Sequence, residues 1–252
     1  MKPIQILFVL CWLGGPTSQA GEIHSNGNGG GRWSEAATWR GNKVPGADDE
    51  AVIAARDTVV FDQDDSNKPS CKALILDPGS NLAFQSGLGP RTLTVDGPVE
   101  IHGSLKMTAQ AGSDAMALQL CAAVAAERVV KVQKGGALLV LGKANLPGGK
   151  RNARISVTAP REGKVIPSAD LTAANKGMVD VQNAQIDHLA LTLTGIDNTG
   201  AKPDERCNLV NNLFTGHARL ALSGCDTPSV VRNVFEARDA PLGKTAAIAL
   251  TY

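Results

Sequence analysis

The sequence has few aromatic residues and no excess of either charge. Only 4% of its 252 residues are Phe, Trp or Tyr, and the formal net charge is +1. Because no basic cluster is present, the chain lacks the electrostatic footprint that nucleic-acid binding requires. Few bulky rings and 27 glycines together indicate a fold with many turns rather than a large globular core.

The sequence also lacks several local signatures of catalysis. It contains no G-x-S-x-G elbow, no phosphate-binding loop and no H-E-x-x-H metal motif. No spacing of cysteine and histidine resembles a zinc site. These absences exclude several classes of enzyme.

Long apolar runs are missing beyond the N-terminus. Residues 4–13 are largely apolar, follow Lys2 and precede a small-x-small motif at residues 18–20. This pattern predicts a signal peptide over residues 1–20 and export to the extracellular space, the cell surface or a periplasm. No later segment approaches the roughly 20 apolar residues of a membrane span, so none is predicted.

Two near-copies, at residues 181–197 and 210–226, give the strongest signal for the fold. Matched residues lie 29 positions apart without a gap, and these pairs are Asn183 and Asn212, Leu191 and Leu220, Leu193 and Leu222, Gly195 and Gly224, and Asp197 and Asp226. A third copy begins at Val231. Short alternating strands separated by Asn, Gly and Asp are typical of a parallel β-solenoid, whose crossovers favour the right hand.

The asparagines of these copies have a structural interpretation. Asn183, Asn212 and Asn233 are expected to stack as a ladder of side-chain amides between coils.

The two recurring aspartates, Asp197 and Asp226, could form a catalytic carboxylate pair. Their recurrence in successive coils favours turn formation instead, since a catalytic pair is needed only once.

The solenoid is expected to begin early in the chain. Alternating apolar residues predict strands at residues 51–53, 58–61, 73–76, 82–84, 93–95, 99–101, 105–107, 129–132, 138–141 and 155–157. Residues 113–128 are Ala-rich and predict a short helix on the side of the solenoid, although Met116, Leu118 and Leu120 also fit a strand. The segment 145–175 is the expected seam between two halves.

The first half resembles a G8 domain, a family of extracellular modules found in cell-surface hyaluronidase-type proteins and in fibrocystin. The resemblance covers roughly residues 31–160, and the rest resembles pectate-lyase-like β-helix repeats. The features that carry it are Trp33, Trp39, the Pro45 turn, the strand at 48–53 and the glycine-punctuated strands running to Leu138. It implies an exported protein that engages glycans or a cell surface, and it supplies no catalytic residue.

These observations predict an all-β chain, a right-handed parallel β-helix with an N-terminal cap. We expect a G8-like solenoid region at 21–160 and β-helix repeats at 161–252. Residues 248–252 end on a strand without a polar cap, and an exposed final coil would invite pairing with another chain. We therefore expect either a partner at this C-terminal edge or a longer natural protein.

The two tryptophans of the N-terminal segment have two interpretations. Trp33 and Trp39 lie six positions apart and lead through a proline turn into a strand. They are expected to fold over the open end of the first coil, since a solenoid needs a cap. The alternative is an aromatic platform that binds sugar rings.

A column of basic side chains is the candidate catalytic site. His188 aligns with His217 at the offset of 29, and the third copy places Arg238 at the same position. Stacked coils would put the three side chains on one face, where neutral histidines beside an arginine could bind a uronate or abstract its neighbouring proton. The alternative is that they point outward at a turn.

Two further groups of charged residues are candidates for binding. Asp62, Asp64 and Asp65 follow a strand and could hold Ca²⁺, although the run matches no known calcium loop and also fits a solvated turn. A loosely basic segment could meet an anionic glycan, or could be ordinary solvated surface. This segment contains Lys150, Arg151, Arg154, Arg161 and Lys164.

The mature chain would retain Cys71, Cys121, Cys207 and Cys225, an even number that allows three pairings in an oxidising compartment. A bridge between Cys207 and Cys225 is the first choice, because they lie about one coil apart. The alternative is that these are buried small apolar residues.

Taken together, these features favour a secreted or cell-surface module that binds or scaffolds polysaccharide without catalysis. The alternative is a lyase or hyaluronidase-like hydrolase that acts on an acidic glycan.

Overall fold

The computed structural model describes residues 21–121, 124, 127–158, 169–174, 177–195, 207–216, 218–225, 229–236 and 248–251. These residues form short β-strands and single 3-10 turns, with no α-helix among them. The strands of the first four coils are β1 (Glu22–His24), β2 (Gly30–Arg32), β3 (Glu50–Ile53), β4 (Thr58–Phe61), β5 (Ser70–Cys71), β6 (Ala73–Leu76), β7 (Asn81–Phe84), β8 (Pro90–Val95), β9 (Val99–Ile101), β10 (Ser104–Thr108) and β11 (Ala115–Leu120). The later coils contain β12 (Val129–Val132), β13 (Ala137–Leu141), β14 (Ala153–Val157), β15 (Ala169–Ala174), β16 (Met178–Gln182), β17 (Gln185–Asp187), β18 (Leu189–Thr194), β19 (Asn208–Val210), β20 (Leu213–Thr215), β21 (Arg219–Ser223), β22 (Ser229–Val231), β23 (Val234–Glu236) and β24 (Ile248–Thr251). The 3-10 turns are Ala36–Thr38, Arg40–Asn42, Asp65–Asn67 and Pro147–Gly149.

The strands stack into three long parallel sheets. Sheet 1 has the order β1-β3-β6-β9-β12-β15-β18-β21-β24, sheet 2 has β2-β4-β7-β10-β13-β16-β19-β22, and sheet 3 has β5-β8-β11-β14-β17-β20-β23. Consecutive strands of one coil therefore belong to different sheets, and each strand pairs with its counterparts in the coils before and after. This is a right-handed parallel β-helix, which confirms the predicted fold class.

Alternation along each strand separates the core from the surface. In β8, for example, Leu93 and Val95 are buried, whereas Thr92 and Thr94, which alternate with them, are partly exposed. Burying a side chain of this size stabilises a fold by about 1.5–3 kcal/mol, but one coil alone cannot cover its inner face. Stacking of the coils therefore provides the core.

The repeat predicted from the sequence has the expected register in sheet 1. Leu191 of β18 lies beside Leu220 of β21, and Leu193 lies beside Leu222. All four are buried in the common core. The offset of 29 residues is thus confirmed for this sheet.

The predicted helix at 113–128 is wrong over the part that the structure describes. Residues 115–120 form β11, which pairs with β8 on one side and β14 on the other. Met116, Leu118 and Leu120 point inward and are fully buried. Two neighbouring strands supply backbone hydrogen bonds here, and this tertiary context overrides the helical preference of the alanines.

The three sheets continue through the segment expected to be a seam. β12 pairs with β15, β13 with β16 and β14 with β17. Residues 159–168 lie outside the described part of the chain. The described strands on either side of them belong to one solenoid.

A stack of aromatic rings forms the N-terminal cap. The Trp33 ring lies edge-on to Trp39, with centroids 4.9 Å apart, and also edge-on to Phe61 of the second coil at 5.5 Å. Phe61 in turn contacts Phe84 of the third coil at 4.6 Å. The Trp39 Nε1 donates to the Trp33 carbonyl oxygen at 2.8 Å, which fixes the outer ring over the end of the core.

A buried carboxylate holds the first coil against the second. Asp57 is 1% exposed and accepts hydrogen bonds from the Ser25 hydroxyl at 2.5 Å and from the backbone N–H groups of Gly27 and Gly29 at 2.8 and 2.9 Å. Hydrogen bonds to an ionised acceptor are stronger than those between neutral groups. Asp57 therefore braces the loop that carries the cap.

Within the described residues, no helix has the length and apolarity needed to cross a bilayer.

Candidate functional site

The outer face of sheet 3 carries two adjoining depressions. The first, which we call the arginine depression, has a volume of about 260 Å³ and is lined by residues that include Asp65, Thr92, Ala115, Ala117, Arg151 and Arg154. The second, which we call the histidine depression, has a volume of about 420 Å³ and is lined by residues that include Arg154, Gln185, Asp187, His188, Thr215 and Gly216. Arg154 lines both, so the two depressions adjoin at this side chain.

The register of sheet 3 brings these residues together from distant parts of the sequence. Ala117 of β11 lies beside Thr92 of β8 on one side and Arg154 of β14 on the other. Arg154 in turn lies beside Gln185 of β17. The small side chains of Thr92, Ala115 and Ala117 leave the arginine depression open, and the longer side chains of Arg154 and Gln185 follow in β14 and β17.

A chain of hydrogen bonds crosses the histidine depression. The Arg154 Nη2 donates to the Gln185 Oε1 at 3.0 Å, and the Gln185 Nε2 donates to the Thr215 Oγ1 at 3.3 Å. The Thr215 hydroxyl donates to the Asp187 Oδ1 at 2.5 Å. These side chains come from three successive coils, and each fixes the orientation of the next.

His188 occupies the corner of the coil after β17. Its backbone is in the left-handed region, with φ of 56°, and its N–H donates to the Thr215 carbonyl oxygen at 3.1 Å. The His188 Nε2 lies 3.9 Å from the Asp187 Oδ1, and 28% of the side chain is exposed. A non-glycine residue in this backbone conformation costs of order 1–3 kcal/mol and persists only where its surroundings hold it, as they do at many functional sites.

The neighbour of His188 in the next coil is Gly216. A Cβ atom at Gly216 would lie 2.4 to 2.7 Å from three atoms of the His188 ring. The ring therefore rests directly on the backbone of the following coil, where only glycine leaves room for it. The arrangement holds the imidazole beside the carboxylate of Asp187.

The structure places Gly216 against His188, whereas the gapless alignment of the sequence pairs His188 with His217. Gln185 lies beside Leu213 and Asp187 beside Thr215, an offset of 28, whereas Ala190 lies beside Arg219, an offset of 29. The later coil therefore has one more residue at its corner, which a gapless alignment does not show. Stacking of His217 on His188 stays a prediction.

The other residues predicted for the column cannot be placed. His217 and Arg238 lie outside the described residues, as do the recurring Asp197 and Asp226. The candidate catalytic column is therefore represented in the described structure by His188 alone. The groups gathered around it are those of Asp187, Thr215 and Gly216.

The same insertion changes the predicted asparagine ladder. Asn183 pairs with Asn211, whose Nδ2 donates to the Asn183 Oδ1 at 2.7 Å. Asn212 is bound by the next coil as expected, since its N–H donates to the Asn233 Oδ1 at 3.0 Å. The asparagines form two neighbouring sets of hydrogen bonds between coils rather than one ladder.

Neither of the tryptophans considered for sugar binding presents a ring to solvent. Trp33 is 0% exposed and Trp39 is 1% exposed. Both rings are committed to the cap described above. The structure therefore gives them a packing role and leaves no ring face on which a sugar could stack.

The structure does not gather the aspartates considered for calcium binding. Asp62 accepts hydrogen bonds from the N–H and hydroxyl of Ser34, whereas Asp64 caps a 3-10 turn by accepting from Ser66. Asp65 lies in that turn and lines the arginine depression. Across the described ranges, no group of three or more His, Cys, Asp or Glu side chains is arranged to hold a metal ion.

The predicted disulfide is not formed. Cys71, Cys121, Cys207 and Cys225 all lie within the described residues, and no disulfide joins any of them. The Cys207 Sγ instead accepts from the Val179 N–H at 3.2 Å, and the Cys225 Sγ donates to the Leu193 carbonyl oxygen at 3.2 Å.

The candidate site contains residues that sequence reasoning missed. Gln185, Asp187 and Thr215 were not considered, although each is a polar residue at an outward position of a strand. Period-two alternation marks such positions. These residues lie close together because of the register of sheet 3, which the sequence pattern did not predict.

Comparisons with known proteins found no match to this chain. No protein-family model matches the chain, and neither the curated proteins nor the solved structures include a match. The resemblance to a G8 domain and to pectate-lyase-like repeats therefore stays a prediction.

Proposed function

We propose that this chain is an exported β-helix module that binds polysaccharide along the outer face of sheet 3 without catalysing a reaction by itself. The observation that carries the proposal is the pair of adjoining depressions that share Arg154. Seven parallel strands at roughly 4.8 Å spacing extend this sheet over about 29 Å. An elongated surface of this kind suits a linear polymer better than a compact ligand.

The chemistry of the surface supports the same proposal. The groups that line the histidine depression include the guanidinium of Arg154, the amide of Gln185 and the hydroxyl of Thr215. Guanidinium, amide and hydroxyl groups are the donors and acceptors that can bind sugar hydroxyls. Hydrogen bonds between these side chains hold them in place before a ligand arrives, which lowers the entropy lost on binding.

Export and attachment outside the cell are part of the proposal and rest on the sequence. The predicted signal peptide lies outside the described residues. Detection of the chain in the medium or on the cell surface, with a mature N-terminus near Gly21, tests this part. Retention of residues 1–20 in an intracellular chain would contradict it.

A blocking substitution tests the proposed surface. Ala117 points outward between Thr92 and Arg154, so Ala117→Trp would fill the arginine depression without entering the core. Ala83→Trp is the matched control, because Ala83 is an equally outward and half-buried alanine in sheet 2. We expect binding across a panel of neutral and acidic glycans to be lost in the first variant and kept in the second.

Two results would contradict the proposal. The first is that the unaltered chain binds no glycan on the panel. The second is that both tryptophan variants bind the glycans as well as the unaltered chain does. Circular dichroism of each variant shows whether it is folded, which separates loss of the surface from loss of the structure.

The pairing of Asp187 with His188 favours a second candidate, a polysaccharide-degrading enzyme. An imidazole beside a carboxylate in a polar depression has the groups needed to transfer a proton. Incubation with hyaluronan, pectate and alginate tests it, since shorter chains show cleavage and new ultraviolet absorbance separates a lyase from a hydrolase. Unchanged activity of a His188→Gln variant would exclude this site, and absence of cleavage would leave the binding module as the function.

Pairing of the final coil with another chain is a further part of the prediction. β24, β22 and β23 are the last described strands of their sheets, and unpaired strand edges are templates for association. Size-exclusion chromatography with light scattering tests this pairing, because a monomer at all concentrations would contradict it.

A further inference from the structure

The two arginines of the arginine depression carry positive charge without a matching carboxylate. Among the described residues, neither Arg151 nor Arg154 forms an ion pair. Asp65 lines the same depression but forms no ion pair with either of them. The depression therefore has an excess of positive charge at a point where the surrounding surface is concave.

Neutral oxygen atoms hold Arg151 in position. Its Nη1 donates to the carbonyl oxygens of Gly149 and Lys150 at 3.1 and 3.4 Å, and its Nη2 donates to the Asn211 Oδ1 at 3.4 Å. Its Nε is buried and has no hydrogen-bond partner among the residues that the structure describes.

Arg154 is held in the same manner. Its Nη2 donates to the uncharged Gln185 Oε1 at 3.0 Å. Hydrogen bonds to neutral amides orient a guanidinium but leave its charge uncompensated. Both guanidiniums are therefore oriented in advance for an acceptor that brings negative charge.

The floor between them is made of small side chains. Ala115 and Ala117 occupy outward positions of β11, and Thr92 lies beside Ala117. A longer side chain at either alanine would fill the space that the arginines flank. The depression is thus open to a ligand group from solvent.

We infer that the arginine depression is an anion subsite, in which Arg151 and Arg154 bind a carboxylate or sulfate group of the polysaccharide. The inference rests on the proposed function and specifies its ligand as a polymer that bears anionic groups. Binding at this subsite positions the neighbouring sugar over the histidine depression, because Arg154 lines both.

Polymers that differ only in their anionic groups give the sharpest test. Oligogalacturonate and its carboxyl-reduced form supply the carboxylate arm, and dextran sulfate and dextran oligomers supply the sulfate arm. Affinities of the full chain for the four probes are measured by calorimetry at low and moderate salt. We expect at least one anionic probe to bind about tenfold or more tightly than its neutral partner, and this preference to shrink as salt is added.

Substitution of each arginine tests whether Arg151 and Arg154 cause the preference for the anionic probe. Arg151→Gln and Arg154→Gln are each expected to weaken binding of the preferred anionic probe by about tenfold or more and to weaken binding of its neutral partner much less, so that the preference for the anionic probe falls. Arg219→Gln is the matched control, since Arg219 is an exposed arginine on an outward position of sheet 1. It removes the same net charge from a different face and is expected to leave the preference intact.

The outcomes separate this inference from the proposed function. Equal affinity for anionic and neutral partners in both arms overturns the inference and leaves polysaccharide binding in place. A preference that survives both arginine substitutions, or that falls equally in Arg219→Gln, also overturns it. Failure of all four probes to bind would overturn the inference and weigh against the function on which it rests.

Discussion

Substitution of Gly216 by alanine tests how two successive coils meet at the candidate site. The new Cβ atom would lie 2.4 to 2.7 Å from the His188 ring, which is closer than atoms can approach without displacement. Gly216 also has φ of +67°, a conformation that costs an alanine about 1–2 kcal/mol. Displacing a packed ring costs about 1–3 kcal/mol more. We therefore expect Gly216→Ala to lower the free energy of unfolding by about 2–5 kcal/mol.

A second glycine in the same coil provides the control. Gly224 has φ of +55°, but no atom of the described residues lies within 4 Å of the position that its Cβ would occupy. Gly224→Ala should therefore show only the conformational cost of about 1–2 kcal/mol. The difference between the two variants isolates the contact with His188.

Urea unfolding followed by circular dichroism measures both costs, and hydrogen exchange at the His188 amide reports on the corner itself. A double variant completes the test, because His188→Ala removes the ring with which the new methyl group collides. In that background, Gly216→Ala should cost no more than Gly224→Ala. Equal costs for the two glycine variants in the unaltered chain would refute the stacking of His188 on Gly216.

Three further predictions concern the rest of the solenoid. Asp57→Ala should lower the free energy of unfolding by about 2–4 kcal/mol, because it leaves a buried hydroxyl and two N–H groups without their acceptor. Asp48→Ala, at an exposed site, should change this free energy little in the same urea assay. Burial alone would raise the pKa of Asp114, but hydrogen bonds from a serine hydroxyl and two backbone N–H groups hold this pKa below its ordinary value of 3.8. The stabilisation by the ionised carboxylate is thus present above about pH 4 and is lost as the pH falls through the lowered pKa. Asp114→Asn should therefore make the free energy of unfolding fall less steeply as the solution is acidified. An unchanged dependence on pH would contradict this expectation. Burial and the nearby Asp96 raise the pKa of the Cys121 thiol to about 12. Mass spectrometry should therefore find that Cys121 reacts slowly with iodoacetamide at pH 8 in the folded chain and fast after denaturation. Rapid labelling of the folded chain would count against the buried setting.

The strands of the solenoid were predictable because one simple pattern generates them. The inward residues Leu191 and Leu193 are separated by the smaller Thr192, and their counterparts 29 positions later, Leu220 and Leu222, are separated by Ala221. Such alternation suits a strand whose inner face is covered by its neighbours. The segment 113–128 was misjudged because its alanines favour a helix in isolation, whereas pairing with β8 and β14 decides its conformation.

The candidate site was less predictable, because it depends on register at the corners. One additional residue after Thr215 shifts the offset from 28 to 29. A sequence comparison without gaps does not show this insertion, so it does not predict that Gly216 lies against His188. Arg151 and Arg154 were visible as part of a basic segment, but only the fold shows that they flank a depression.

Chemical-shift mapping can test directly whether the outer face of sheet 3 is the proposed polysaccharide-binding surface. Oligogalacturonate is added to the isotopically labelled chain, and perturbed residues are assigned to the three sheets. We expect perturbations concentrated on the outward residues of β11, β14, β17 and β20, including the Arg154 side chain. Perturbations confined to sheet 1 or sheet 2, or no perturbation with any acidic or neutral oligosaccharide, would contradict this proposal.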